Sequence, residues 1–441
     1  MTPLPAGTTL SATAASAVSS LRVLFRPRSQ VTVWLTAGLL VLSAGCRGGE
    51  LQPIGQVVDS AGVRIVSYDL AGVSVPTYRA LGPRDLEIGV QNGPPEYTFS
   101  QITDLAVGED RSIIVSDAVA REVRVFSHDG TYRGTVGRGG EGPGEFAGSP
   151  TFVGLGGDTL FAFDARARRV SAFLTTGHFV SGTSLWADGA GFTTLLLRLD
   201  DGSYVSQSNW VNPETANAVH DLRLDVDSVV VEHLAADAAV LDTLRLLGDR
   251  NRARSVEGVA DVGFRTRQIT TPYSPRAVIA VDGFRIIAGR SDDFTLEWIH
   301  PTDGLEMVVR VSGVQHPATA KDLRAREEAQ LREDFGDQEI DPEIWRTFIE
   351  YLPERLPAFG DVVVSDGGNI WVSLTEFDLS AGLDWLVFSD VGDLLGLVHT
   401  PPDFRLRVAG DDFVVGFVLD DLDVPCIHRY SLIRAPTADS Y

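Results

Sequence analysis

The 441-residue chain is predicted to be all-β: a six-bladed β-propeller of four-stranded blades closed by an N-terminal strand, with a two-helix insertion between blades 4 and 5. Three observations predict this. They are a repeat of 47 residues, a four-strand pattern that recurs along the chain, and one stretch where the hydrophobic period changes from that of a strand to that of a helix.

At an offset of 47, Phe99 falls on Phe146, Leu105 on Phe152, Asp117 on Asp164, Val123 on Val170, Phe126 on Phe173, Gly130 on Gly177 and Tyr132 on Phe179. Within the first unit, residues 102–107, 112–116, 123–127 and 132–137 are short β-rich runs divided by Gly-, Asp- and Arg-rich turns. Four strands in that length make one propeller blade. The pattern returns at 192–199, 203–207, 228–234 and 241–247, then at 276–281, 285–289, 296–299 and 305–311. It returns again at 361–365, 369–374, 384–388 and 394–398. A last unit has only three runs, 404–408, 413–418 and 426–432, and residues 85–89 are the donor of its missing strand. Closure of this kind joins the first and last blades and protects their edges.

The insertion at 317–356 has a different grammar. Thr319 and Asp322 have the spacing of a capping box, Asp341-Pro342 reads as N-cap followed by proline at N1, and Ile344, Trp345, Phe348, Ile349 and Leu352 share one helical face. Helices are expected over 320–335 and 342–352, packed over one side of the ring.

Residues 1–45 read as a lipoprotein signal peptide, 46–60 as a tether and 61–436 as the propeller. The first 45 residues contain no acid, carry Arg22, Arg26 and Arg28, and run through the apolar stretch 31–42 into Ser43-Ala44-Gly45-Cys46. This mainly apolar run of 12 residues is too short to span hydrocarbon, which takes about 20. Small residues before Cys46 make it the expected lipidation site and anchor the chain to a bacterial membrane, facing out of the cytoplasm. Arg47 is not the Asp associated with inner-membrane retention, which favours the outer membrane, facing periplasm or surface. The long polar start places an alternative initiation point near Val23. Cys426 is the only other cysteine, so no disulfide is available within the mature chain.

There are 37 basic and 60 acidic residues; losing the three leader arginines takes the net charge from -23 to -26. That balance excludes nucleic acid as partner, because binding phosphates needs a basic face. If the innermost strand of each blade comes first, the loop leading into it shares a face with the loop after the second strand. This gathers Arg121, Arg138, Arg166, Arg168, Tyr273 and Arg290 on a candidate ligand-binding face, together with acids that include Asp420, Asp421 and Asp423. Arg forks suit carboxylated, phosphorylated or glycan ligands, while the plain reading is that such charges solvate turns. Asp117 and Asp164 occupy the same repeat position. They are weak candidates for a Ca²⁺ site, and repetition favours a turn cap, since every blade needs a turn and only one site needs a ligand. No other cofactor is expected. The glycines of 137–146 lack a Gly-Lys-Ser/Thr ending, the eight histidines show no close ligand spacing, and no Gly-x-Ser-x-Gly elbow is present. Trp371 and Trp385 read as inter-blade core.

On the motif Gly137-Arg-Gly-Gly-Glu-Gly-Pro-Gly-Glu-Phe146, the strand-end Asp117 and Asp164, Asp366-Gly-Gly-Asn-Ile-Trp-Val372 and the Cys46 lipobox, the chain resembles the six-bladed β-propeller lipoproteins of the NHL-like type over about 60–434. The resemblance implies a binding platform, though related six-bladed rings include calcium-dependent lactonases and an amidating lyase. Fold cannot choose among these. The leading reading is a non-catalytic platform for a protein, peptide or glycan. The alternative is a calcium-dependent hydrolase or lyase.

Overall fold

Each blade is an antiparallel meander whose apolar residues face the neighbouring blades. The computed structural model describes residues 55–185, 193–210, 223–259, 263–314, 319–336, 338–375 and 381–434. Its first strands are β1 (Gln56–Ser60), β2 (Val63–Asp69) and β3 (Arg79–Ile88). Blade 1 is β4 (Ile102–Val107), β5 (Ile113–Asp117), β6 (Glu122–Phe126) and β7 (Tyr132–Val136). Blade 2 is β8 (Pro150–Gly156), β9 (Thr159–Asp164), β10 (Arg169–Leu174) and β11 (Phe179–Ser184). Blade 3 is β12 (Thr193–Arg198), β13 (Tyr204–Trp210), β14 (Arg223–Leu234), β15 (Val240–Val259) and β16 (Gly263–Thr270). Blade 4 is β17 (Ala277–Asp282), β18 (Arg285–Arg290), β19 (Thr295–His300) and β20 (Gly304–Ser312). After helices α1 (Ala320–Phe335) and α2 (Pro342–Trp345) comes blade 5: β21 (Phe359–Val364), β22 (Ile370–Leu374), β23 (Leu383–Phe388) and β24 (Leu394–Thr400). Blade 6 is β25 (Arg405–Ala409), β26 (Phe413–Leu419) and β27 (Pro425–Arg434), with β3 as its fourth strand.

The repeat is legible in three dimensions as an aromatic triad. Phe99, Phe126 and Tyr132 stack in blade 1 with centroids 6.0 and 5.8 Å apart, and their counterparts Phe146, Phe173 and Phe179 do so in blade 2 at 5.7 and 5.6 Å. The core is divided among six clusters, one between each pair of adjacent blades. Trp371 and Trp385 are both 1% exposed in the cluster between blades 5 and 6. Burying such side chains contributes roughly 2–3 kcal/mol each.

Ring closure runs through β27 and β3, paired antiparallel from Ile427↔Ile88 to Arg434↔Arg79. The predicted donor strand is in place. Gly89 ends it at φ 132°, and a Cβ there would lie 2.9 Å from the Pro425 carbonyl, so glycine is required where the two chain ends meet.

The leader differs from expectation. Residues 56–60, read as tether, form β1, and β2 pairs in parallel with β20 from Arg64↔Met307 to Asp69↔Ser312, extending blade 4 to six strands. Tyr68 secures this addition: its hydroxyl accepts the Leu394 N–H at 2.8 Å and donates to the Gly392 carbonyl at 3.2 Å, both in blade 5. Blade 3 also exceeds the forecast, with the long β14–β15 hairpin and a fifth strand, β16.

The insertion is helical. Thr319 and Asp322 complete the capping box of α1, and Asp341 caps α2, which continues through a π-helical turn, Arg346–Glu350. Among the described residues no helix is long and apolar enough to cross a membrane. The signal segment and Cys46 lie outside the described residues.

Candidate ligand-binding face

The Asp at the end of each second strand in blades 1 and 2 sets the loop face. Asp117 is fully buried; Oδ2 accepts from Ser100 N at 3.0 Å, and Oδ1 accepts from Gln101, Val119 and Ala120 N at 3.2–3.3 Å. Asp164 repeats the device with Ala147 and Gly148 N on Oδ2 and Arg166 and Ala167 N on Oδ1, at 2.6–3.2 Å. Each carboxylate therefore ties the loop leading into its blade to the turn after its second strand, and both loops lie on one face. These oxygens are committed to backbone donors rather than turned toward a shared cation. Among the described residues no group of three or more His, Cys, Asp or Glu is arranged to hold a metal ion.

The six predicted binding residues lie at the loops and strand ends of this face. Arg138 braces its own loop through Glu145, at 2.8 Å, and the same carboxylate accepts Gly142 N. Those two bonds hold the Glu145 carboxyl below its ordinary range, the Gly142 amide contributing most. Arg121 and Arg168, equivalent by the repeat, both hold left-handed turns, with φ 54° and 49°. Arg166 is exposed beside them. Arg290 pairs with Asp292. Tyr273, at φ 52°, donates to Glu327 Oε1 of α1 at 3.0 Å; burial first, then Glu327, pushes its pKa up to about 12. It packs with Leu323 and Leu356, so it anchors the insertion over the blade 4 side of the face.

A concavity on this face lies between blades 5 and 6. A cavity of about 600 Å³ is lined by Asp361, Leu383, Trp385, Asp403, Phe404, Arg405, Leu406, Arg407, Leu419, Asp420, Asp421 and Asp423, with Gly382 and Pro401. None of the six predicted residues lines it. The same geometric rule, extended to the loop that leads into blade 6, reaches Asp403 and Arg405; that unit's three-run pattern hid the loop. Asp361 pairs with Arg276, and Asp420 Oδ1 accepts from Leu422 and Val424 N at 2.9 Å. Arg405 and Arg407 lie over the Phe417 ring at 5.6 and 5.4 Å. The cavity volume falls within the roughly 300–1,000 Å³ of small-ligand pockets.

The fold and this face define a six-bladed β-propeller with a walled concavity on its loop side. A family model, DUF5128, described as a 6-bladed beta-propeller, matches residues 94–211, which span blade 1, blade 2 and the start of blade 3. No curated protein matches the chain. Among solved structures, the chain is similar to a Bacteroides fragilis NCTC 9343 protein whose description assigns export only provisionally, with 12% identity, 84% of this chain and 100% of that chain covered, and a TM-score of 0.49. A duf4221 family member from Bacteroides vulgatus follows with 7% identity, coverage of 81% and 98%, and a TM-score of 0.46. Virginiamycin B lyase from Staphylococcus aureus has 10% identity, coverage of 79% and 99%, and a TM-score of 0.38.

Proposed function

We propose that the protein is a lipid-anchored, extracytoplasmic propeller that acts as a non-catalytic binding platform for a protein, peptide or glycan, held through Cys46 to the outer membrane. The observation that carries this reading is the cavity between blades 5 and 6, where charged and aromatic groups converge on the loop face. The repeated carboxylates Asp117 and Asp164 are consumed in holding loops, which supports a scaffold role for them. Anchoring is tested by fatty-acid labelling of the parent and of Cys46→Ser: label on the parent and none on the variant supports it, and label on neither overturns it. Binding is tested by probing the full chain against peptide and oligosaccharide arrays. Capture reduced by substitutions at Arg405 and Asp421 supports the platform; turnover of a bound probe overturns the non-catalytic part.

A further inference from the structure

Resting on that reading, we infer that the cavity between blades 5 and 6 takes a short peptide with both ends free: a zwitterion with an apolar body. The argument starts from which charges in the cavity are already used. Of its five carboxylates, Asp361 is paired with Arg276 and Asp420 is taken by the amides of its own turn. Asp403, Asp421 and Asp423 are exposed, and among the described residues no hydrogen bond or ion pair engages their carboxylates.

The positive charges make no ion pair among the described residues, although Arg407 also acts on the buried Asp104 carboxyl of blade 1. Arg405 and Arg407 are two residues apart on β25, their guanidinium groups flank one ring, and among the described residues neither has a carboxylate within 4.0 Å. Arg407 Nη1 donates to the Leu406 carbonyl at 3.1 Å. Groups of opposite sign thus line one cavity without neutralising one another. Stacking on Phe417 holds the arginines, while Asp403 and Asp423 sit on left-handed turns at φ 57° and 60°.

A ligand that satisfies this lining carries both charges. Its ammonium group meets Asp421 and Asp423, and its carboxylate meets the forks of Arg405 and Arg407. Between them its side chains meet the partly buried Leu383 and Leu419, above Phe404, Leu406 and Trp385, which are already packed in the core. A neutral glycan would cover the same charges without compensating them, at a desolvation cost. The volume, about 600 Å³, suits a peptide of about three residues, within the roughly 300–1,000 Å³ of small-ligand pockets.

The test is calorimetric titration of the full chain in detergent with trileucine, its N-acetylated form, its C-amidated form, and maltotriose. The expected result is binding of trileucine, with each blocked form weaker by about tenfold or more. Asp421→Asn with Asp423→Asn should abolish the sensitivity to acetylation, and Arg405→Gln with Arg407→Gln the sensitivity to amidation; unchanged melting of these variants shows that they fold. Equal affinity for free and blocked peptides overturns the proposal, as does no response to any peptide. Preference for maltotriose also overturns it while leaving the binding platform intact. Binding that survives both double substitutions and is lost in Arg121→Ala with Arg166→Ala overturns it by moving the site. Cleavage of trileucine would sink the non-catalytic reading and leave the peptide assignment standing.

Discussion

Asp104 of blade 1 accepts the backbone N–H of Phe152 in blade 2 through Oδ2, at 2.9 Å. Phe152 lies on β8, the first strand of its blade, whose other edge has no strand partner, so an amide on that edge needs an acceptor from outside the sheet. The carboxyl also accepts Leu105 N at 2.9 Å. Burial raises its pKa to about 6 against the pull of these two amides and of Arg407.

A pH dependence follows from that contact. The folded state holds the Asp104 proton more tightly than the unfolded chain does, so this group's contribution is full below pH ~4 and is lost as pH rises through about 6. Asp104→Asn cannot titrate. The melting temperature of the parent relative to this variant should therefore fall between pH 4 and 7; a constant difference would rule the shift out.

The strand-end caps should be costly to remove. Asp164→Ala leaves four loop amides without their acceptor in a site 1% exposed, and urea unfolding should register a loss of about 3 kcal/mol. Because these oxygens already hold amides, millimolar Ca²⁺ should leave the parent's melting temperature unchanged. A rise abolished by Asp117→Asn or Asp164→Asn would revive a calcium site.

The closing strand pair contains a buried histidine. His428 Nε2 lies 3.0 Å from Arg84 Nη1, where neutral imidazole accepts, and Tyr430 and Glu87 complete its surroundings. Burial, then Arg84, holds its pKa below the ordinary 6.5, with Glu87 opposing. The unfolded chain therefore takes up a proton first, and stability from this group is lost as pH falls below 6.5. His428→Gln should flatten that acid limb, read as the difference in melting temperature between pH 7 and 5.

The helical insertion should loosen at its anchors independently of the ring. Tyr273→Phe removes the bond to Glu327, and Thr319→Ala removes the capping box; each should cost about 1 kcal/mol. Hydrogen exchange across 320–335 should speed up several-fold while the blade strands keep their protection.

Much of this molecule is written locally. The spacing of Phe99, Phe126 and Tyr132 and of their counterparts 47 residues on predicts blades, because each triad packs within its own repeat. The closing strand was legible because blade 6 lacked a partner, and the capping box because its two residues are three apart. The leader strands were not legible: β2 pairs in parallel with a strand more than two hundred residues away, and nothing in its own pattern names that partner. The cavity was missed because its lining depends on how two neighbouring blades pack. Arg405 and Arg407 look like ordinary strand charges until blade 6 folds against blade 5, where the loops bearing Asp403, Asp421 and Asp423 share one space with Asp361 and Leu383. The sequence by itself determined the repeat, the strands, the turns and the order of blades, since these depend on residues near one another in the chain. The tertiary structure alone decided which open charges share a cavity, since that depends on how the loops of two adjacent blades pack against one another.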